Sequence, residues 1–252
     1  MTILQPISSL LFHIGRYVML IGGIFKRPEK LRIYYEQTMI EAVSMVVGSM
    51  FIVVIISTFI GAVTTLQTAY QLTTPLIADS VIGSVVSAST LLELSPTVLS
   101  FILAGRIGSN IASQIGTMRV TEQIDALEVM GINSKGYLLI PRLVAGLFSF
   151  PILITISAFL STMGGLLAGD ISGEVTAIEY LQGMEEYYDP LYINIMYVKA
   201  IIFGILIVTI SAYQGYFVRG GALEVGKSAT RAVVYSCLTM VVADYFVAQL
   251  LL

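Results

Sequence analysis

"AVSMVVGSMFIVVIISTFIGAVTTLQTAYQLTTPLIA", residues 42–78, contains no Asp, Glu, Lys or Arg. About 20 such residues are enough for a helix to cross the roughly 30 Å hydrocarbon core of a bilayer. The run lacks the period-two alternation of a barrel strand, so in lipid its backbone groups must be satisfied internally, as a helix. The rest of the chain agrees. Of its 252 residues 56% are apolar and only 12% charged, with a mean hydropathy of +0.88, whereas a soluble domain carries about 25% charged residues. The sequence predicts an all-α integral membrane protein. Length then counts spans, and 1–252 is expected to form a single membrane domain, with an N-terminal segment at 1–32 and a five-span core at 42–252.

The five expected spans fall within 42–66, 81–105, 143–169, 191–218 and 232 to the C-terminus. Three carry an internal charge: Glu93 in the second, Lys199 in the fourth and Asp244 in the fifth. Residues 1–25 read differently. Their densest apolar run, 17–25, is too short to span and follows His13 and Arg16, which predicts a helix lying in the membrane interface. The basic cluster "KRPEK" (26–30) follows the apolar run, and no small-residue cleavage site is present, the reverse of a cleaved signal peptide. Basic residues then set the orientation. Arg16, Lys26, Arg27, Lys30 and Arg32 precede span one; Arg106, Arg119, Lys135 and Arg142 lie between spans two and three; Arg219, Lys227 and Arg231 lie between spans four and five. The positive-inside rule puts these loops and the N-terminus in the cytoplasm and the C-terminus outside. Were residues 1–25 to span, only the N-terminus would move. The opposite loop, 170–190, carries six acidic residues and no Lys or Arg, an acidic outer cap.

The segment "TEQIDALEVMG" (121–131) is unusually charged for this chain. At 100° per residue Glu122, Asp125 and Glu128 share one arc, with Ile124, Leu127 and Met130 opposite. Gly131 and Asn133 supply a stop. A helix on the inner membrane surface follows, its acidic arc toward the cytosol. A solvated loop helix has the same pattern. An acidic face beside an anionic leaflet is, however, unfavourable unless something basic covers it, which points to a cytosolic partner.

"GALEVGKS" (221–228) matches G-x-x-x-x-G-K-[ST] letter for letter, and "LTMVVAD" imitates a Walker B strand. A phosphate-binding loop needs a buried strand before it and an α/β domain around it, whereas this stretch joins two membrane spans. Gly220, Gly221 and Gly226 are expected to form a tight turn, with Lys227 and Arg231 as inner-surface anchors. His13 is the only histidine and Cys237 the only cysteine. One chain therefore offers no multi-His metal set and no internal disulfide, and no cofactor or metal is expected.

Charges within spans cost several kcal/mol and face a cavity or a partner. Counted at about 1.5 Å per residue, Glu93 and Lys199 fall at similar depths and are expected to meet, with snorkelling of Lys199 to the interface as the alternative. Pro96 should free backbone carbonyls next to Glu93. Asp244 is expected to pair with a neighbouring helix. Gly105, Gly108, Ser109, Ala112, Gly165 and Gly169 suit close helix packing.

"LLELSPTVLSFILAGRIGSNIASQIGTMRVTEQIDALEVMGI" (91–132), "YLLIPRLVAG" (137–146) and "SATRAVVYS" (228–236) closely resemble the MlaE family, permease subunits of MCE-associated ABC transporters. The resemblance covers nearly everything after residue 28. It implies a non-catalytic permease domain in the bacterial inner membrane, working as a homodimer with cytosolic ATPase subunits and an MCE-domain protein on the outer side, and moving phospholipid between inner and outer membranes. A small cytosolic accessory subunit is compatible with that arrangement. By the same resemblance Glu122, Asp125 and Glu128 face the ATPase on a coupling helix, and Thr64, Gln67, Gln71, Leu72, Glu93 and Lys199 surround a lipid pocket. The chain departs from the family in having Leu92 where Arg often precedes the glutamate, and Ser95 where Gly often precedes the proline. The competing reading from the residues alone is a secondary transporter with Glu93 and Asp244 as a proton relay.

Overall fold

The computed structural model describes residues 4–24, 31–72, 78–186 and 188–251, with side chains from residue 11 onward. The basic run at 26–30, which the sequence places beside the inner surface, lies outside the described residues. Among the described residues eight helices follow one another: α1 Leu4–Ile24, α2 Leu31–Gln71, α3 Ser80–Val120, α4 Gln123–Val129, α5 Ser134–Ser172, α6 Ala177–Glu186, α7 Pro190–Tyr216 and α8 Ala222–Leu251. Among the described residues α2, α3, α5, α7 and α8 are long and apolar enough to cross a membrane. The apolar part of α1, Leu11–Ile24, is shorter. The all-α, five-span architecture read from the sequence is what the chain adopts.

The helices outrun the predicted spans. α2 and α3 each hold 41 residues, about 61 Å at 1.5 Å per residue, because polar stretches flanking the apolar runs continue the helix. Nothing in those flanks breaks it: the residues at 106–120 contain no proline, and helix propensity is indifferent to hydropathy. α8 likewise begins ten residues before the expected span. The predicted turn at Gly226 is therefore absent. Gly220 holds the turn at φ +117, while Gly226, Lys227 and Ser228 lie inside α8.

α3 is not uniformly α-helical. Thr90–Val98 and Ala104–Gly108 are π-helical, the wider register in which an N–H bonds the carbonyl five residues back. Pro96 lies inside the first of these segments and has no N–H to donate.

The chain divides into two compact units. The first comprises Met1–Val43, Ala104–Gly146 and Ile205–Cys237. Its interior holds Leu20, Ile111, Ile115, Ile124 and Leu139, each at most 2% exposed. α1 is fastened there by polar contacts: Tyr17 donates to Thr209 Oγ1 at 2.7 Å, His13 Nδ1 lies 2.8 Å from the Tyr213 hydroxyl, and the Arg16 guanidinium sits 3.9 Å from the Phe217 ring centroid. Gly108 abuts Ser211, whereas Gly105 has open space before it, so only part of that expected small-residue seam is a contact.

The second unit comprises Ser44–Leu103, Leu147–Gly204 and Leu238–Leu252. Here α2 and α5 approach backbone to backbone. A Cβ on Gly61 would strike the Ser161 backbone, and one on Gly164 the Thr58 backbone; Ser57 donates to Ser157 Oγ at 2.8 Å along the same seam. Gly165, singled out from the sequence, meets Thr65 and Tyr180. α6 closes on α3, with Tyr180 fully buried beside Ala69, Ile82, Val86 and Val175. Burial pushes the Tyr180 phenol up to about 12, opposed by the neighbouring Thr65 hydroxyl.

Candidate functional site

The second unit holds an ion cluster built from three helices. α7 contributes Lys199, which is 0% exposed. Its ammonium donates to Glu93 Oε1 on α3 at 2.7 Å and to the Leu92 carbonyl at 2.9 Å, and stands 2.7 Å from Asp244 Oδ1 on α8. Leu92 lies in the π-helical segment that contains Pro96, whose missing N–H could not close an α-helical bond on the Leu92 carbonyl. One carbonyl beside Glu93, that of Leu92, does accept a side-chain hydrogen bond, from Lys199. Thr97 lies between the carboxylates, 3.1 Å from Glu93 Oε2 and 3.3 Å from Asp244 Oδ2. Lys199 is therefore paired within the helices and does not snorkel. Glu93 keeps nearly half its side chain exposed, at 47%, against 17% for Asp244.

The other residues named for the lipid pocket stand apart in what they touch. Thr64 turns its hydroxyl back to the Ile60 carbonyl at 2.7 Å, Gln67 and Gln71 are exposed, and Leu72 packs on the cluster around Tyr180. Thr64 also closes one end of an apolar groove along α2, lined by Ile55, Ile56, Phe59, Ile60 and Val63.

In the first unit α4 is shorter than the helix read from the sequence. Glu122 precedes it in the left-handed region at φ +60, a conformation costing a non-glycine residue about 1–2 kcal/mol. The expected acidic arc therefore does not form as one face. Asp125 pairs with Arg119 at 2.6 Å. Glu128 turns to its own chain, accepting from Ser134 at 2.7 Å and Tyr216 at 3.0 Å. The Ser134 hydrogen bond, joined by Tyr216 and by the charges of Arg119 and Lys135, outweighs partial burial and holds the Glu128 carboxyl below its usual range. On the opposite side Ile124 is buried as expected, but Met130 is 65% exposed; Val129, on the acidic side, is 89% exposed. The stop is where the sequence puts it: Gly131 has φ +80, and Ile132 N–H bonds the Leu127 carbonyl at 3.0 Å.

Two further placements bear on function. Arg142, counted with the inner-loop cations, lies within α5 and is 7% exposed. It pairs with Glu41 at 3.0 Å and bonds Gln114 Oε1 and the Leu138 carbonyl. The phosphate-loop lettering at 221–228 runs into a helix, where Lys227 pairs with Glu224 at 2.6 Å. No strand precedes it among the described residues, so the backbone cradle that such a motif needs does not form. Among the described residues no group of three or more His, Cys, Asp or Glu is arranged to hold a metal.

Sequence reasoning missed Thr97 and the Arg142–Glu41–Gln114 set. Thr97 carried a signal, since it stands at i+4 from Glu93. The Arg142 set carried none, because its members lie far apart in the chain.

Comparison with known proteins gives the same family as the residues. The family described as Permease MlaE matches residues 38–250. The chain is 37% identical over 202 residues to a probable ABC transporter permease protein of Rickettsia bellii, covering 80% of this chain and 78% of that protein. It is 34% identical over 233 residues to a probable ABC transporter permease protein of Synechocystis, covering 92% and 88%. It is 28% identical over 235 residues to the intermembrane phospholipid transport system permease protein MlaE of Haemophilus influenzae, covering 92% and 89%. A multi-pass helical membrane protein with these matches is a permease, and the chain belongs to the MlaE family.

Proposed function

We propose that this permease is the membrane-spanning subunit of an ABC transporter that moves phospholipid between the inner and outer membranes, with ATP hydrolysed by partner subunits. The observation that carries the reading is the ion cluster of Lys199, Glu93 and Asp244 within apolar helices. Such a cluster costs several kcal/mol in lipid and marks a polar pathway. The apolar groove along α2 ending at Thr64 suits an acyl chain, and the exposed Gln67 and Gln71 suit a headgroup at a pocket rim. The phospholipid named for the Haemophilus relative supports that substrate.

In this reading 1–252 is one permease domain in the bacterial inner membrane, with its N-terminus cytoplasmic and its C-terminus periplasmic. It works as a homodimer, with an MCE-domain protein on the outer side and, in some assemblies, a small cytosolic accessory subunit. The cytosolic ATPase docks on α4. Glu122, Asp125 and the exposed Val129 and Met130 meet it, while Glu128 pins the helix to α5 and α7. ATP-driven closure pushes on α4, and the lipid held near Glu93 is expelled.

Co-purification and reconstitution test this. A P-loop ATPase should co-purify with the tagged permease, and vesicles containing both should move phospholipid only with ATP. Lys227→Ala should leave that hydrolysis intact, since the lysine pairs with Glu224 and not with phosphate. Proton-driven uptake by the isolated chain, with no ATPase bound, would instead establish the secondary-transporter reading.

A further inference from the structure

Lys199 is the obvious partner for a lipid phosphate, but the structure leaves it unable to serve. An ammonium has three hydrogens. The Leu92 carbonyl and Glu93 Oε1 take two, Asp244 Oδ1 stands 2.7 Å away as an ion pair without a hydrogen bond, and none of the side chain is exposed to an arriving ligand. No substitute exists in this unit: among residues 44–103, 147–204 and 238–252 Lys199 is the only Lys or Arg, against nine carboxylates. The residue before Glu93 is Leu92. An arriving anion therefore meets no cation here.

It meets Glu93 instead. One ammonium and two carboxylates leave the cluster with an excess negative charge, and Glu93 is the exposed member at 47%. Each carboxylate oxygen can accept two hydrogen bonds. Oε1 takes one from Lys199 and Oε2 is within reach of one from Thr97, so acceptor sites remain on a group already fixed in place. Thr90 and Ser95, buried hydroxyls in the same π-helical segment, have no hydrogen-bond partner among the described residues.

We propose that the site selects a primary ammonium headgroup, the ethanolamine nitrogen of a zwitterionic glycerophospholipid hydrogen-bonding the Glu93 carboxylate that Lys199 and Thr97 hold in position. This deepens the phospholipid reading and rests on it. Lys199 then acts as a positioning residue that never touches the lipid. Phosphatidylglycerol brings net negative charge to a negative site. Phosphatidylcholine brings a cation whose methylated nitrogen has no hydrogen to donate.

The test uses the full-length permease with its co-purifying subunits, equilibrated in vesicles of equal parts phosphatidylethanolamine, phosphatidylglycerol and phosphatidylcholine, then re-extracted, with retained lipid measured by mass spectrometry. A charge-assisted hydrogen bond corresponds to roughly tenfold in affinity or more. Phosphatidylethanolamine should be retained about tenfold over phosphatidylglycerol, and above phosphatidylcholine. Glu93→Gln should erase the preference and Glu93→Asp should keep most of it; if Glu93→Gln fails to fold, the order of the three lipids on the native protein decides. Equal retention of all three, or an excess of phosphatidylglycerol, overturns the headgroup assignment and leaves the phospholipid reading standing. Retention of no lipid overturns both.

Discussion

Lys199 reaches the Leu92 carbonyl at 2.9 Å, inside the π-helical segment that holds Pro96, which has no N–H with which to close an α-helical bond on that carbonyl. A proline and a lysine more than a hundred residues apart are thus parts of one device. Pro96→Ala supplies an N–H that lets the segment close an α-helical bond on the Leu92 carbonyl. That helix bond, about 1 kcal/mol, offsets the weakened lysine contact, so stability should change by about 1 kcal/mol or less while transport falls several-fold. Thermal unfolding in detergent and lipid movement in vesicles would separate the two effects. Unchanged transport would show that the carbonyl contact is incidental.

Removing the lysine is a harsher change. Lys199→Met leaves Glu93 and Asp244 beside each other on Thr97 with no cation, and breaking a buried ion pair from one side costs about 3–5 kcal/mol. Replacing all three, Lys199→Met with Glu93→Gln and Asp244→Asn, should recover most of that stability and none of the transport. A triple variant as unstable as the single one would mean that the cost of losing Lys199 is packing, not charge.

Glu41 and Arg142 make the corresponding pair in the first unit, with Arg142 almost wholly buried. Glu41→Ala leaves the guanidinium without a counter-charge and should destabilise by about 3 kcal/mol. Gln114→Ala, which removes one neutral partner, should cost about 1 kcal/mol. Denaturation midpoints of the two variants give the comparison directly.

Glu128 supplies a pH dependence. Its carboxyl lies below the ordinary range in the fold, chiefly through the Ser134 hydroxyl. The stabilisation is therefore present above the unfolded value, about 4.3, and is lost as pH falls through the folded value. α4 should loosen in acid. A cysteine at Ile124, in a Cys237→Ser background, should become reactive to a pyridyl disulfide as pH drops below about 4, and Glu128→Gln should flatten that profile.

Gly61→Ala tests the α2–α5 seam. The added methyl would overlap the Ser161 backbone, which cannot rotate away as a side chain does, and overpacking of this kind costs about 1–3 kcal/mol or more. Gly105→Ala, into open space, should be neutral or slightly stabilising.

The spans were legible because hydropathy alone selects them: 42–66, uncharged throughout, lies wholly within α2. Glu93 and Lys199 were legible because a charge in an apolar run has few ways to be satisfied. Helix ends were not, since polar residues at 106–120 and 222–231 continue a helix as readily as they end it. The acidic arc of α4 failed for a local reason. The wheel assumes helical dihedrals at Glu122, and the chain instead turns left-handed there. Where Glu128 points was equally hidden, because Tyr216 lies 88 residues away along the chain.

A π-helical segment holds one residue more than an α-helix making the same hydrogen-bonded span, so α3 stores two surplus residues, at Thr90–Val98 and Ala104–Gly108. Sliding either surplus along the helix turns the intervening side chains by about 100° and advances them by about 1.5 Å, with no hinge and no broken helix. Glu93 stands inside the first such segment. Deleting one residue from 90–98 should favour α-helical register and swing the carboxylate away from Lys199, so a chain shortened by one apolar residue there is expected to keep its hydropathy and lose its ion cluster.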